Sequence, residues 1–225
     1  MNHKSEFGKY ARSEYGISSL KLDYYEKQIQ ASMTTYILEE REMRVTQMDI
    51  FSRLMRDRLL WVAGPVDDHM STIVQAQLMF LDSTDKSDIT MHIDSPGGSV
   101  KSGLSMVDVM QYISCDIRTV NTGMAASMGS VLLGAGTKGK RSSLRFSRTM
   151  LHQSSGGAVG NIQDAEISMK EWMKINDTLF QLLGDFCGKD PEVVKKDSSR
   201  DLWLDSKQAL EYGIIDEIVK TKKKG

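Results

Sequence analysis

Ser127 lies in Asn121-Thr-Gly-Met-Ala-Ala-Ser-Met-Gly-Ser130, a run of small residues between a strand-like segment, 113–120, and Val131-Leu-Leu-Gly-Ala135, apolar enough for a buried helical turn. A serine at a strand-to-helix joint exposes its hydroxyl, and the next amide, that of Met128, is a helix N-terminal N–H without an intrahelical acceptor. Such an amide can receive an oxyanion. The pair fits a nucleophile with half of an oxyanion hole; it also fits an N-cap serine in a small-residue packing contact. No G-x-S-x-G motif surrounds it.

Two flanking segments carry groups that acyl transfer needs. Upstream, Ile89-Thr-Met-His-Ile-Asp-Ser-Pro-Gly-Gly98 reads as a strand ending in a turn, where Gly97 and Gly98 admit positive φ and a glycine amide can face a substrate carbonyl. Downstream, His152 closes the short run Ser147-Arg-Thr-Met-Leu-His-Gln153, and imidazole is the usual base for a serine hydroxyl at neutral pH. A third group must orient the imidazole. Asp201, in Asp197-Ser-Ser-Arg-Asp-Leu-Trp-Leu204, is the candidate, placed before an apolar stretch that could bury it. Each residue also has a structural reading: His152 as a core histidine, Asp201 as a cap for a helix beginning near Ser206, the glycines as a plain turn. Chain order does not decide between them, because triads occur in unrelated orders.

The elements that would hold these residues alternate. Segment 59–63 reads as a buried strand, and a helix opening at 66–68 follows, with Met70, Ile73, Val74 and Leu81 at helical spacing. Strand 89–93 leads to a helix from about Ser99, with Val100, Leu104, Val107 and Ile113 on its apolar side. Strand 117–120 leads into the helix near Ser127. Repeated βαβ units imply an α/β fold with a mostly parallel sheet and right-handed crossovers, and active sites then sit beyond strand C-terminal ends. A long helix over 161–186, with Ile162, Ala165, Met169, Trp172, Asn176, Leu179, Leu183 and Phe186 on one face, lies outside this rhythm.

In combination, these segments resemble the ClpP family, the proteolytic subunits of the Clp proteases. The likeness spans residues 34–219 and includes Asp49-Ile-Phe-Ser-Arg-Leu-Met55, Asp67-Asp-His-Met70, Ser95-Pro-Gly-Gly98, Gly123-Met-Ala-Ala-Ser-Met-Gly129, Gly139-Lys-Arg141, Leu151-His-Gln153 and Ala209-Leu-Glu-Tyr-Gly-Ile-Ile-Asp216. The resemblance implies a ClpP/crotonase-like spiral of βαβ units with a protruding handle helix. It implies a serine endopeptidase with Ser127 as nucleophile, His152 as base and Asp201 as orienting acid, and with the amides of Gly98 and Met128 as the oxyanion hole. Gly97, Gly156 and Gly157 would contact substrate, the last two in a handle strand (handle about 153–188). It further implies two stacked seven-subunit rings and an AAA+ unfoldase ATPase partner of the ClpX, ClpA or ClpC type, with unfolded proteins as substrates. No metal or organic cofactor is expected, and the chain carries no G-x-x-x-x-G-K-[ST] loop of its own.

The sequence departs from the common family pattern in places. Ser199, where an acidic residue is frequent, precedes Arg200; Thr90, His92 and Ser142 stand where aromatic or apolar docking residues are common; and Ser154 replaces a frequent proline. Two other readings share parts of the pattern: a catalytically silent ring-forming paralogue, and a crotonase-type acyl-CoA enzyme, which relies on carboxylates instead of Ser and His.

Length and charge fit one sizeable α/β domain. The 225 residues carry a formal net charge of −1 with scattered Lys and Arg, so no basic stripe argues for nucleic acid. The two cysteines, Cys115 and Cys187, form no C-x-x-C or Cys/His cluster, which fits a reducing cytoplasm. No apolar run approaches the ~20 residues of a membrane span. Residues 1–32 are expected to form an N-terminal extension, either a propeptide or a loosely docked terminus, ahead of a single peptidase domain at 33–225.

Overall fold

The computed structural model describes residues 36–41, 44–154 and 161–220. The chain divides into two compact units, Met1–Arg53 and Leu54–Gly225. In the first, β1 (Tyr36–Arg41) and β2 (Arg44–Asp49) pair antiparallel with Tyr36 opposite Asp49 and Arg41 opposite Arg44. Helix α1 (Ile50–Arg56) begins where the Asp49 carboxylate accepts from the Phe51 and Ser52 amides, each at 3.0 Å.

The second unit is built on a sheet of seven strands among the described residues: β3 (Leu59–Ala63), β4 (Ile89–Ser95), β5 (Ile117–Ala126), β6 (Arg141–Ser143), β7 (Arg148–Leu151), β8 (Leu202–Asp205) and β9 (Glu217–Ile218). Strands β3-β4-β5-β6-β9 run parallel in that order, β7 joins β5 in parallel, and β8 closes on β7 antiparallel. Period-two alternation drives one face inward: Ile89, Met91 and Ile93 of β4 are fully buried. Helices α2 (Asp68–Thr84), α3 (Val100–Tyr112) and α4 (Met128–Gly134) supply the facing apolar side chains, among them Leu78, Met106 and Leu132. Both long helices start as the sequence suggests, α2 on the side chain of Asp67 and α3 on that of Ser99. A mixed α/β fold on a largely parallel sheet is what the sequence predicts.

Strand 59–63 differs from the expectation of a buried strand. Leu60 and Val62 are buried, whereas Trp61 and Ala63 are exposed, because the described helices pack against one face only. On the other face Trp61 stacks on His92, ring centroids 4.8 Å apart. Burial pushes the His92 imidazole pKa down, which favours the neutral ring.

Beyond the sheet, α5 (Ile162–Cys187) runs 26 residues from the Asn161 cap. Its C-terminal part buries Leu179, Phe180, Leu183 and Cys187, but its apolar residues Ile162, Ile167, Met169 and Met173 are exposed, so the predicted amphipathic face is unburied over the first turns. Helix α6 (Pro191–Asp197) and α7 (Ser206–Tyr212) follow on either side of β8. Arg141, 1 % exposed, ties this C-terminal region to the sheet by donating to Asp216 Oδ1 at 2.6 Å, Phe186 O at 2.8 Å and Gly213 O at 2.9 Å. Such a satisfied buried cation is structural, since removing any partner would strand a desolvated charge.

Candidate active site

Strand β5 extends to Ala126, six residues past the expected end at 120, and forks on the way. Thr119 to Asn121 pair with β6, and Met124 to Ala126 pair with β7. The ladder continues one step further, with Ser127 N–H donating to Met150 O at 2.9 Å. That bond fixes Ser127 beside the end of β7, and His152 stands two residues beyond Met150. Its Nε2 lies 2.9 Å from Ser127 Oγ.

The third residue arrives by register. In the antiparallel β7–β8 pair Leu151 is opposite Leu202, so continuing one step sets His152 opposite Asp201. His152 Nδ1 and Asp201 Oδ1 are 3.6 Å apart, longer than a hydrogen bond. Such contacts often tighten only in a substrate complex. The Asp201 side chain is 61 % exposed, so the following apolar stretch does not bury it. The stretch is an edge strand whose Leu204 turns into the core while Trp203 faces out. Nor is Asp201 a helix cap, because Asp205 caps α7 in a capping box with Gln208.

Ser127 itself has φ 54° and ψ −122°, a conformation sparsely populated by residues with a Cβ and costing about 1–3 kcal/mol. The backbone therefore makes a nucleophile-elbow-like turn without a G-x-S-x-G motif. The N-cap reading of Ser127 fails on the same geometry, since its side chain makes no cap hydrogen bond to α4 and points to His152 instead.

The elbow needs a neighbour without a side chain. A Cβ on Gly97 would stand 2.6 Å from Ser127 Cβ and 2.7 Å from Ala126 O, and one on Gly98 would collide with Val66 O. Both glycines have positive φ, 90° and 152°. Val66 N donates to Gly97 O and Ser99 N to Val66 O, leaving the Gly98 N–H between them outside either bond. Beneath the turn, buried Ser95 donates from Oγ to Gly64 O at 2.7 Å and accepts from Gly97 N–H at 3.1 Å. Ser95 thus braces the turn from below, a role signalled in the sequence only by its place at the head of Ser95-Pro-Gly-Gly98.

Next to Ser127 a narrow pocket is lined by apolar Val100, Met128, Val131, Leu179, Phe180 and Leu183, together with His152. A wider cleft of about 490 Å³ lies at Thr122, Leu144, Phe146 and Val219, with no nucleophile–base pair on its walls. The Ser127–His152 pair lies at the smaller pocket. Gly156 and Gly157 lie outside the described residues. The two cysteines are poor alternative nucleophiles: Cys115 and Cys187 are buried, and burial pushes the Cys187 thiol up to about 11. Among the described residues no group of three or more His, Cys, Asp or Glu could hold a metal ion, and no helix is long and apolar enough to cross a membrane.

The profile of the family described as Clp protease matches residues 40–222. The ATP-dependent Clp protease proteolytic subunit of Porphyromonas gingivalis is 46 % identical over 221 residues, 98 % of this chain and 100 % of that protein. Proteins of the same name from Bacteroides fragilis and Bacteroides thetaiotaomicron are each 47 % identical over 215 residues, 95 % of this chain and 98 % of theirs. With the family profile spanning residues 40–222 and relatives of this identity matched over nearly their whole length, the chain belongs to the Clp protease family and is a peptidase.

Proposed function

We propose that this chain is the proteolytic subunit of an ATP-dependent Clp protease and cleaves peptide bonds with Ser127 as nucleophile, His152 as general base and Asp201 as the group that orients the imidazole. The observation that carries this reading is the 2.9 Å contact between His152 Nε2 and Ser127 Oγ. Neutral His152 takes the hydroxyl proton as Oγ attacks the scissile carbonyl, and Asp201 holds Nδ1 as the N–H tautomer. The amides of Gly98 and Met128 face the oxyanion. His152 then passes its proton to the leaving amine, an acyl-enzyme remains on Ser127, and water deacylates it with His152 again as base. The apolar pocket would seat an apolar substrate side chain.

The silent-paralogue reading is disfavoured because all three side chains are present and adjacent, and the crotonase reading because the site is built on Ser and His. Treatment with a fluorophosphonate followed by peptide mapping is expected to place the label on Ser127. A folded, assembled preparation left unlabelled would overturn the assignment.

Assembly and partners extend this reading. The exposed apolar face of α5 at Ile162, Met169 and Met173 suits contact with an opposing ring of the two seven-subunit rings. Ser199 offers no carboxylate to Arg200, so the stacking lacks one charge-assisted bond. Dilution is expected to give single and double rings, with activity following the double-ring fraction in paired sedimentation and peptidase measurements. A fully active single ring or monomer would refute the coupling. An AAA+ unfoldase ATPase would supply unfolded chains, and Trp61, stacked on His92, offers it an aromatic surface where Thr90 and Ser142 do not. The cytoplasm is the compartment this reading favours, and residues 1–32 are read as an extension preceding one peptidase domain.

A further inference from the structure

His152 follows the last residue of β7, so its ring position depends on how the residues after it are held. They are held from two sides. Gln153 N–H donates to Ser198 O at 3.0 Å, in the turn ahead of Asp201. Ser154 turns the other way: its N–H, at 3.2 Å, and its Oγ–H, at 2.7 Å, both donate to the Oδ1 atom of Asn176.

Asn176 occupies a special place on α5. It is half-buried, just before Leu179 and Phe180, where the helix changes from exposed to buried. It lines the pocket beside Ser127 together with Ser154 and His152. On periodicity alone it counts as one polar position on an otherwise apolar helical face, which gives no reason for an amide there. A side-chain oxygen that accepts two donors from one residue does give a reason, because an apolar side chain would leave both donors without a partner.

We propose that Asn176 is a positioning residue for the peptidase reaction: through Ser154, its Oδ1 fixes segment 152–154 and thereby the distance from His152 Nε2 to Ser127 Oγ. The inference rests on the triad reading above. Asn176 touches neither the reacting hydroxyl nor the imidazole and acts only by holding the backbone that carries the base. Loosening that anchor leaves the apolar wall of the pocket, Val100, Val131, Leu179, Phe180 and Leu183, in place, so the loss falls mainly on proton transfer. Misplacement of a reacting group by about 1 Å can cost on the order of 10²-fold.

The test measures kcat and KM on a short fluorogenic peptide, and the rate of fluorophosphonate labelling, for the assembled wild-type protein, Asn176→Ala, Asn176→Asp and Ser154→Ala. Asn176→Ala is expected to lower kcat and the labelling rate by about 10–100-fold with KM within about twofold of wild type. Asn176→Asp keeps an acceptor oxygen in place and is expected to restore most of the rate. Ser154→Ala loses one donor, keeps the other and falls between. Wild-type kcat in Asn176→Ala, or an Asn176→Asp protein as impaired as Asn176→Ala, would overturn the proposal, the latter because aspartate keeps both the volume and an acceptor oxygen of asparagine, so its loss of rate would not come from a lost acceptor. Should Asn176→Ala fail to fold or assemble, Ser154→Ala decides, and a wild-type kcat there overturns it. A wild-type protein that takes no label defeats the triad reading itself, an outcome distinct from a labelled wild type with indifferent variants.

Discussion

Replacing Ser127 by alanine is expected to lower peptidase kcat by about 10⁵–10⁶-fold, the scale on which loss of a triad serine acts. The substitution removes one oxygen and leaves the backbone as it was. Serine and alanine both carry a Cβ, so the strain at φ 54° is unchanged, and the bond from residue 127 N–H to Met150 O survives. Among the described residues, the only side-chain hydrogen bond lost is the one to His152 Nε2. The melting temperature and ring assembly should therefore match wild type while turnover of a fluorogenic peptide disappears. A pure, correctly folded S127A protein keeping more than about 1 % of wild-type kcat would overturn the nucleophile assignment, because the remaining oxyanion donors and substrate binding account for far less than that.

Asp201→Asn is expected to cost about 10⁴-fold in kcat, through an imidazole held in the wrong tautomer. An asparagine amide facing Nδ1 can donate a hydrogen bond, which favours the proton on Nε2, where it blocks acceptance from Ser127. The fold gives this substitution little else to act on. Asp201 is largely exposed, the cap of α7 belongs to Asp205, and surface changes of this kind usually alter stability by no more than about 0.5 kcal/mol. Kinetics and thermal melting on the same preparation separate the two effects. A kcat loss below about tenfold would remove Asp201 from the triad and leave a Ser127–His152 dyad.

Much of the scaffold was legible because it rests on local rules. The apolar spacing of α2 and α3, the caps at Asp67 and Ser99, and the alternation in β4 are all short-range signals, and the elements form where those signals put them. Long-range relations were less legible. Strand β5 runs six residues beyond 120 because its second half finds a partner in β7, a strand more than 20 residues away, and pairing overrides the weak strand propensity of Gly123 and Ala125. Segment 59–63 has the composition of a buried strand, but only the packing decides which of its faces is covered, and Trp61 lies on the uncovered one.

The site divides along the same line. By itself the sequence determined the residue types: a serine among residues small enough for a tight elbow, two glycines where a Cβ would meet Ser127 or Val66, and a histidine closing a short strand. These are properties of side-chain volume, backbone freedom and local hydrogen bonding. The tertiary structure decided that they meet. Register sets His152 opposite Asp201 across the β7–β8 pair, the β5–β7 pairing delivers Ser127 to Nε2, and Asn176 reaches Ser154 from a helix that the strand pattern does not include. A shift of one residue in either pairing would turn the side chains to opposite faces of the sheet, and nothing within reach of local sequence rules specifies a register set by contacts so distant along the chain.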